Sequence, residues 1–600
     1  LKSNSNNRRS FLTNMLAAGG LSLFNSSLDS ASGNEFPVEE LPRWWPTQRK
    51  PKGIIRLTTK EGHSPALAML AQSLSGLAAQ AVNQDRGEEL VWIDTPHEAY
   101  RRWYRATLQK TGIEQRGELD AWQLLARLRD QGIVHGFVRY RLDHSTGSAN
   151  KVRDGIDLSV NVATSLCGVL GAVLIEDSLI DQAQELGLHE LVDAREMSLS
   201  ECFESHKDKF NRHLILAQDP RKPHMRELAI AHRAITLFGQ ENPVLSILAW
   251  LDPLSTVLGW NGGEEWMQVK QFSEYGHVLT VSDWAMGLPF LSIVNPENKL
   301  PQINGLDPRA IDWSWEGPCA ALVMSDGDNV QWTIGDFTAS RHEYWDAPTS
   351  GEFPFSWTAP IVPLTQTAPV AADHLARTKP DQTSLVEFGG GYIFPDVFGT
   401  KRNENDLLEK YAARLGTWME ATDTRVLCLL LLDLDSPAAK HAYATFARNI
   451  PGLVGIIAMQ YAPYEGGHGK VFWEDDGLGG QVPIMTCRYA IWEHANRPNA
   501  GTPSEIASQI SQELPAEQSP EDRLAWTVVH AWSWFRESDD PTFEEVPQQQ
   551  ASRQGARRGH AVANWCQQRL GANVRAVTIE ELLWRLRMAH NPDATKRHIE

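Results

Sequence analysis

Two stretches in the C-terminal half carry residue types that could do chemistry. Ser325-Asp326-Gly327-Asp328-Asn329 sets two carboxylic acids on either side of a glycine. Paired carboxyls at one strand end can bind a divalent cation, hold hydroxyl groups, or divide the work of general acid and general base. The same run could equally cap a helix or close an Asx-turn. Gly389-Gly390-Gly391-Tyr392-Ile393-Phe394-Pro395 sets three glycines before an aromatic ring, with a proline soon after. Such glycines let the backbone approach another surface closely, and the proline stiffens the setting of the ring. A ligand contact at Gly389 and Gly391 fits this pattern, and so does a tight turn alone.

The elements that must position these stretches are legible as apolar runs. From Trp313 onward they fall at 320–324, 361–364, 384–388, 426–432, 454–459, 482–485, 526–530 and 574–577, with helical patterns such as 405–421 and 436–449 between most of them. About eight β/α steps over this length predict a C-terminal (β/α) barrel-like domain. An open doubly wound sheet is the alternative. In a barrel the active site lies just beyond the C-terminal ends of the strands. Those positions hold Asp326 and Asp328, then Glu387 with the glycine run and Asp396, then Asp433, Arg488, His530 and Trp532. The predicted catalytic acids are Asp326, Asp328 and Glu387, with Asp396 and Asp433 in reserve. Tyr392, Trp332 and Trp532 are expected to position a ligand, and Arg488 and His530 to hydrogen-bond it. Glu387 as a salt-bridged strand end and His530 as a core histidine are the plainer readings.

Upstream, strand–helix alternation predicts small α/β domains over 52–115, 116–215 and 216–308, ahead of the 309–600 domain. In them, 245–250 and 278–281 read as strands and 227–238 as a helix. The loop Trp260-Asn261-Gly262-Gly263-Glu264-Glu265 mixes aromatic and acidic residues. These units look like docking or substrate-shaping modules.

Composition narrows the function classes. A net charge of −19 argues against a nucleic-acid partner, because phosphate binding needs a surplus of Lys and Arg. The 22 tryptophans suit cores, domain interfaces and sugar faces alike. The six cysteines show no C-x-x-C spacing, which speaks against a cysteine-rich metal site. Asn7-Arg8-Arg9-Ser10-Phe11-Leu12 ahead of a short, weakly apolar stretch reads as a twin-arginine signal over 1–34. It predicts a bacterial exported protein, periplasmic or secreted. No later run reaches the roughly 18 apolar residues of a membrane span.

The glycine–tyrosine stretch resembles the signature of the GxGYxYP family of proposed glycoside hydrolases, with Phe394 where the family's name has its second Tyr. Val323 to Trp332, His530-Ala531-Trp532-Ser533, Val257 to Trp260 and Asp283-Trp284 fit the same family. The resemblance covers most of the chain after 1–34. It implies a carbohydrate substrate and sugar-processing chemistry, and it supplies no catalytic assignment. Three functions follow as expectations: a glycoside hydrolase using two carboxyl groups, a metal-dependent polysaccharide deacetylase-like enzyme with a cation at Asp326 and Asp328, and a non-catalytic glycan-binding surface protein. The deacetylase needs histidine ligands, and no H-x-x-x-H pair follows the acidic motif.

Overall fold

A computed structural model describes residues 41, 44–58, 64–145, 155–239, 243–294, 300–339, 342–540, 542–543 and 555–600. The predicted signal at 1–34 lies outside them. The chain is a mixed α/β protein with three small parallel sheets and one large curled sheet.

The first sheet holds β1 (Gly53–Leu57), β2 (Glu89–Ile93) and β3 (Glu114–Leu119) in the order β2-β1-β3. The second holds β4 (Gly136–Tyr140), β5 (Ala172–Glu176) and β6 (Glu190–Asp193) in the order β5-β4-β6. The third holds β7 (Leu214–Ala217), β8 (Ile235–Leu237), β9 (Thr256–Gly259) and β10 (Val278–Val281) in the order β10-β9-β7-β8. All their pairings are parallel. Parallel neighbours need long crossovers, which explains the helices between them.

One helix joins the three units. Residues Pro65–Asn83 begin at the Ser64 N-cap and are buried on nearly every side, as befits a helix apolar all round. Its Gln80 amide donates to the carbonyls of Gly168 at 2.8 Å and Ile230 at 3.0 Å. Those acceptors belong to Ser159–Leu170 and Arg226–Ala231, helices of the second and third units.

The large sheet contains β11 (Cys319–Met324), β12 (Phe355–Ala359), β13 (Thr383–Phe388), β14 (Val426–Leu431), β15 (Gly455–Gln460), β16 (Val471–Asp475), β17 (Gln481–Thr486), β18 (Tyr489–Ile491), β19 (Ala500–Gly501), β20 (Leu524–Val529) and β21 (Arg575–Val577). Its order is β16-β17-β15-β14-β13-β12-β11-β20-β18-β19, with β21 also on β11. β11 and β14 are buried at every residue, the signature of parallel strands covered on both faces. Between β17 and β18, the Cys487 amide donates to Ala458 of β15 and the Arg488 amide to Trp526 of β20. This one stretch therefore draws the two sides of the sheet together, and the sheet curls as a half-barrel.

The expected regular barrel steps differ in detail. Residues 361–364 lie in a helix, Ile361–Thr367, and the strand is β12 before it. A short, fully buried apolar run has no period that separates the two states. Likewise 245–250 is the helix Val244–Trp250, and β9 follows it. The predicted helix 227–238 stops at Ala231, and β8 occupies its second half. β16 pairs antiparallel with β17. All six cysteines are buried free thiols. Among the described residues no helix is long and apolar enough to cross a membrane.

Candidate active site

The turn after β11 is built to present acids. Asp326 takes φ +65°, a left-handed conformation that Asp tolerates better than most residues and that costs free energy where a structure retains it. Gly327 lies flush on the end of β12: a Cβ there would sit 2.4 Å from Thr358. Asn329 then caps the short helix Val330–Ile334, its side chain accepting from the Trp332 amide at 2.9 Å. The plainer reading of this motif as a helix cap thus holds for Asn329, while both aspartates face a cleft of about 300 Å3.

The opposite wall belongs to the third unit. β10 lies between the two sequence motifs, bridging Asn329 through Val281 and Tyr392 through Leu279. Just beyond β10, Asp283 pairs with Lys222, whose ammonium sits 4.4 Å over the Trp284 ring. The buried guanidinium of Arg226 anchors the loop carrying Lys222 through the carbonyls of Lys222 and Asp219. Glu265 opens the helix Glu265–Glu274 and accepts from the Tyr392 hydroxyl at 2.6 Å. Trp284 is 53% exposed and Trp532 36% exposed, so two broad aromatic faces flank the cleft.

Electrostatics divide the acids. Burial pushes the Asp328 carboxyl well above the usual carboxylate range, and the nearby Asp326 and Glu265 push it the same way. Glu265 is also raised, by burial first, against the opposing hydrogen bond from Tyr392. Burial and the same acids raise the Tyr464 phenol, which therefore stays a hydroxyl. Asp326 accepts from the Trp532 indole at 2.5 Å and from the Ser325 hydroxyl. The cleft thus holds a carboxyl whose neutral form burial favours beside a hydrogen-bond-accepting one, an arrangement suited to general acid catalysis. Among the described residues no group of three or more His, Cys, Asp or Glu is placed to hold a metal ion.

Of the predicted site residues, Asp326, Asp328, Tyr392 and Trp532 line this cleft. The others are placed elsewhere. Glu387 is fully buried, and its carboxyl accepts from the Val362 amide at 2.8 Å and the Gly390 amide at 3.1 Å. Burial pushes it up to about 8, with those amides opposing. It caps a helix and braces the glycine run instead of facing solvent. Gly389, Gly390 and Gly391 all have positive φ, yet the backbone they bring close is the protein's own. A Cβ on Gly390 would meet the Tyr411 hydroxyl at 2.6 Å, and one on Gly391 would meet Val278 of β10 at 2.6 Å. Phe394 is buried against Tyr392 and Tyr461, an apolar setting that asks for no second hydroxyl.

Asp396 accepts from the amides of Leu432 and Asp433, both at 3.0 Å, and so shapes the loop after β14. Asp433 caps that loop at Asp435. Arg488 pairs with Glu517 at 2.9 Å and Glu513 at 3.4 Å. Trp332 is buried against Phe337 and Tyr344 and supports Trp532 from behind. His530 stacks on Trp492 at 3.8 Å and bonds Ser533, with burial holding its imidazole below the usual value.

Glu265, Lys222, Asp283 and Trp284 line the cleft without having been predicted as site residues, whereas Tyr464 stands at the fifth strand end, where the barrel rule looks for chemistry. The strand-end rule applied to β10 would have found Asp283 and Trp284. Nothing in the spacing marks Lys222, and Glu265 was visible only as part of an acidic, aromatic loop.

Residues 319–542 match the family model described as "GxGYxYP putative glycoside hydrolase C-terminal domain", and residues 212–293 match the "GxGYxYP third domain". Together the two cover just over half of the sequence, and the chain belongs to the GxGYxYP family. Its fold is similar to that of a crystal structure described as "a putative hydrolase from Bacteroides thetaiotaomicron", with a TM-score of 0.74 at 21% identity over 91% of this chain and 96% of that one. No curated protein matches the sequence. The two matched segments hold the two walls of the cleft.

Proposed function

We propose that this protein is an exported glycoside hydrolase that cleaves a glycan at the cleft between the third unit and the curled sheet, the latter serving as a (β/α) barrel-like scaffold. The observation that carries the reading is the convergence of Asp326, Asp328 and Glu265 in one open cleft, with burial raising the Asp328 carboxyl. Glycosidic cleavage needs a carboxylic acid to protonate the leaving oxygen and a second group to attack or to activate water. Asp328 is the acid. Asp326, Glu265 and the Tyr392 hydroxyl bonded to Glu265 are placed to supply the second group. Trp284 and Trp532 offer flat faces on which sugar rings stack. The acidic cleft agrees with a neutral glycan and with the −19 net charge that disfavours nucleic acid.

The test is a reducing-end screen of the purified protein against a polysaccharide panel, repeated with Asp328→Asn and after chelation. The reading expects cleavage of at least one glycan, insensitivity to chelator, and loss in the variant. Release of acetate in place of reducing ends, abolished by chelator, would replace it with the deacetylase. Export is tested by changing Arg8 and Arg9 to Lys, which is expected to keep the protein in the cytoplasm.

A further inference from the structure

The hydrogen bond between Tyr392 and Glu265 joins the two matched family segments inside the cleft. Tyr392 is buried and contacted on several sides. Its amide donates to Leu279 at 2.8 Å, and its ring lies 6.3 Å from Trp260 at 30° and edge-on to Phe394. Glu265 comes from the other wall, so the hydroxyl faces a base supplied by a different domain. Asp326 is already engaged by the Trp532 indole and the Ser325 hydroxyl. A freely charged carboxylate at Glu265 would face Asp326 and Asp328 in a half-buried space. Taking the Tyr392 proton as the phenol attacks neutralises that carboxylate and relieves the repulsion.

We propose that Tyr392 is the nucleophile of a retaining glycosidase, with Glu265 as its base and Asp328 as the acid; this rests on the glycoside hydrolase reading above. In the first step the Tyr392 oxygen bonds to the anomeric carbon as the glycosidic carbon–oxygen bond breaks. The phenolic proton passes to Glu265, and the Asp328 proton goes to the leaving oxygen. In the second step Asp328 takes a proton from water, and the water oxygen bonds to the anomeric carbon. The tyrosyl–carbon bond breaks, and Glu265 returns its proton to Tyr392. Asp326 holds Trp532 in place, and burial first, then the neighbouring Asp326, raises the Asp328 carboxyl.

The experiment treats the full protein with a panel of activated fluoro-glycosides bearing a dinitrophenyl leaving group, then locates the label by peptide mass spectrometry. The expected result is a single sugar adduct on Tyr392. Asp328→Asn, given the unfluorinated dinitrophenyl glycoside, should show a burst and accumulate the same adduct, since that leaving group needs no acid while the second step has lost its base. Tyr392→Phe keeps the ring packing, and it should melt near the parent and turn over about 1000-fold more slowly. Glu265→Gln should slow labelling by a similar factor. An adduct on Glu265 or Asp326, or inversion at the anomeric carbon, overturns the tyrosine while leaving the glycosidase reading intact. Failure to cleave or be labelled by any glycoside removes both.

Discussion

The turn after β11 and the turn after β13 read alike in sequence, as small residues beside polar or aromatic ones at a strand end, and they do opposite jobs. The first spends its unusual backbone on exposure. Asp326 at φ +65° and Gly327 against Thr358 tilt two carboxyls into an open cleft. The second uses its glycines to bury itself. Gly391 lies on β10, Tyr392 bonds Leu279, and the Phe394 amide donates to Ser273 at 2.9 Å. It is a clasp between the curled sheet and the third unit, and of residues 389–395 Tyr392 alone lines the cleft. The difference teaches that positive-φ glycines mark close approach, while what they approach is decided by the neighbouring domain.

The comparison can be broken at either turn. Asp328→Asn is expected to lower glycan turnover by about 1000-fold while melting no lower than the parent at neutral pH, because it removes a buried carboxyl whose ionisation the fold opposes, read by reducing-end release and calorimetry. Gly391→Ala should act the other way. Its φ of +142° and the Val278 contact put the added methyl group in conflict with β10. A stability loss of about 1–3 kcal/mol is expected, seen as a lower Tm. Trp284→Ala should raise KM about tenfold and leave kcat nearly unchanged, because it removes a binding face and no reacting group.

The smallest effect on activity is expected at Glu387. Glu387→Gln should retain turnover within about twofold while changing the pH dependence of stability. The folded carboxyl titrates at about 8 against an ordinary value of 4.5. Its neutral form is favoured by the fold, so its contribution is fully present below pH 4.5. It falls as pH rises, by roughly 1 kcal/mol per pH unit until the folded group ionises near pH 8. The glutamine variant should lack that slope, and its amide nitrogen, which cannot accept from the Val362 or the Gly390 amide, should leave it melting below the parent at pH 4.5 and under.

Much of this was legible in the sequence. Strands β11, β13, β14, β15, β17 and β20 stood out as apolar runs, and the strand-end rule found Asp326, Asp328, Tyr392 and Trp532. It also picked Glu387, Asp396, Asp433 and Arg488, because residue type at a strand end does not say whether the side chain reaches solvent or a backbone amide. Glu387 and Asp396 accept from neighbouring loops, and Arg488 has its own acidic partners. β3 escaped notice because its half-exposed edge sequence EQRGEL carries no alternation. Glu265 was invisible as a site residue because its role arises where one domain meets another, and Lys222 because its partner Asp283 lies 61 residues along the chain.

The central claim is that chemistry resides in the Asp326–Asp328 turn while the Glu387 strand end is structural. The most direct test measures glycan cleavage by Asp328→Asn and Glu387→Gln side by side, each with its melting curve. The account predicts a folded, inactive first variant and an active second one. A folded Glu387→Gln that has lost cleavage, beside an Asp328→Asn that keeps it, would contradict it.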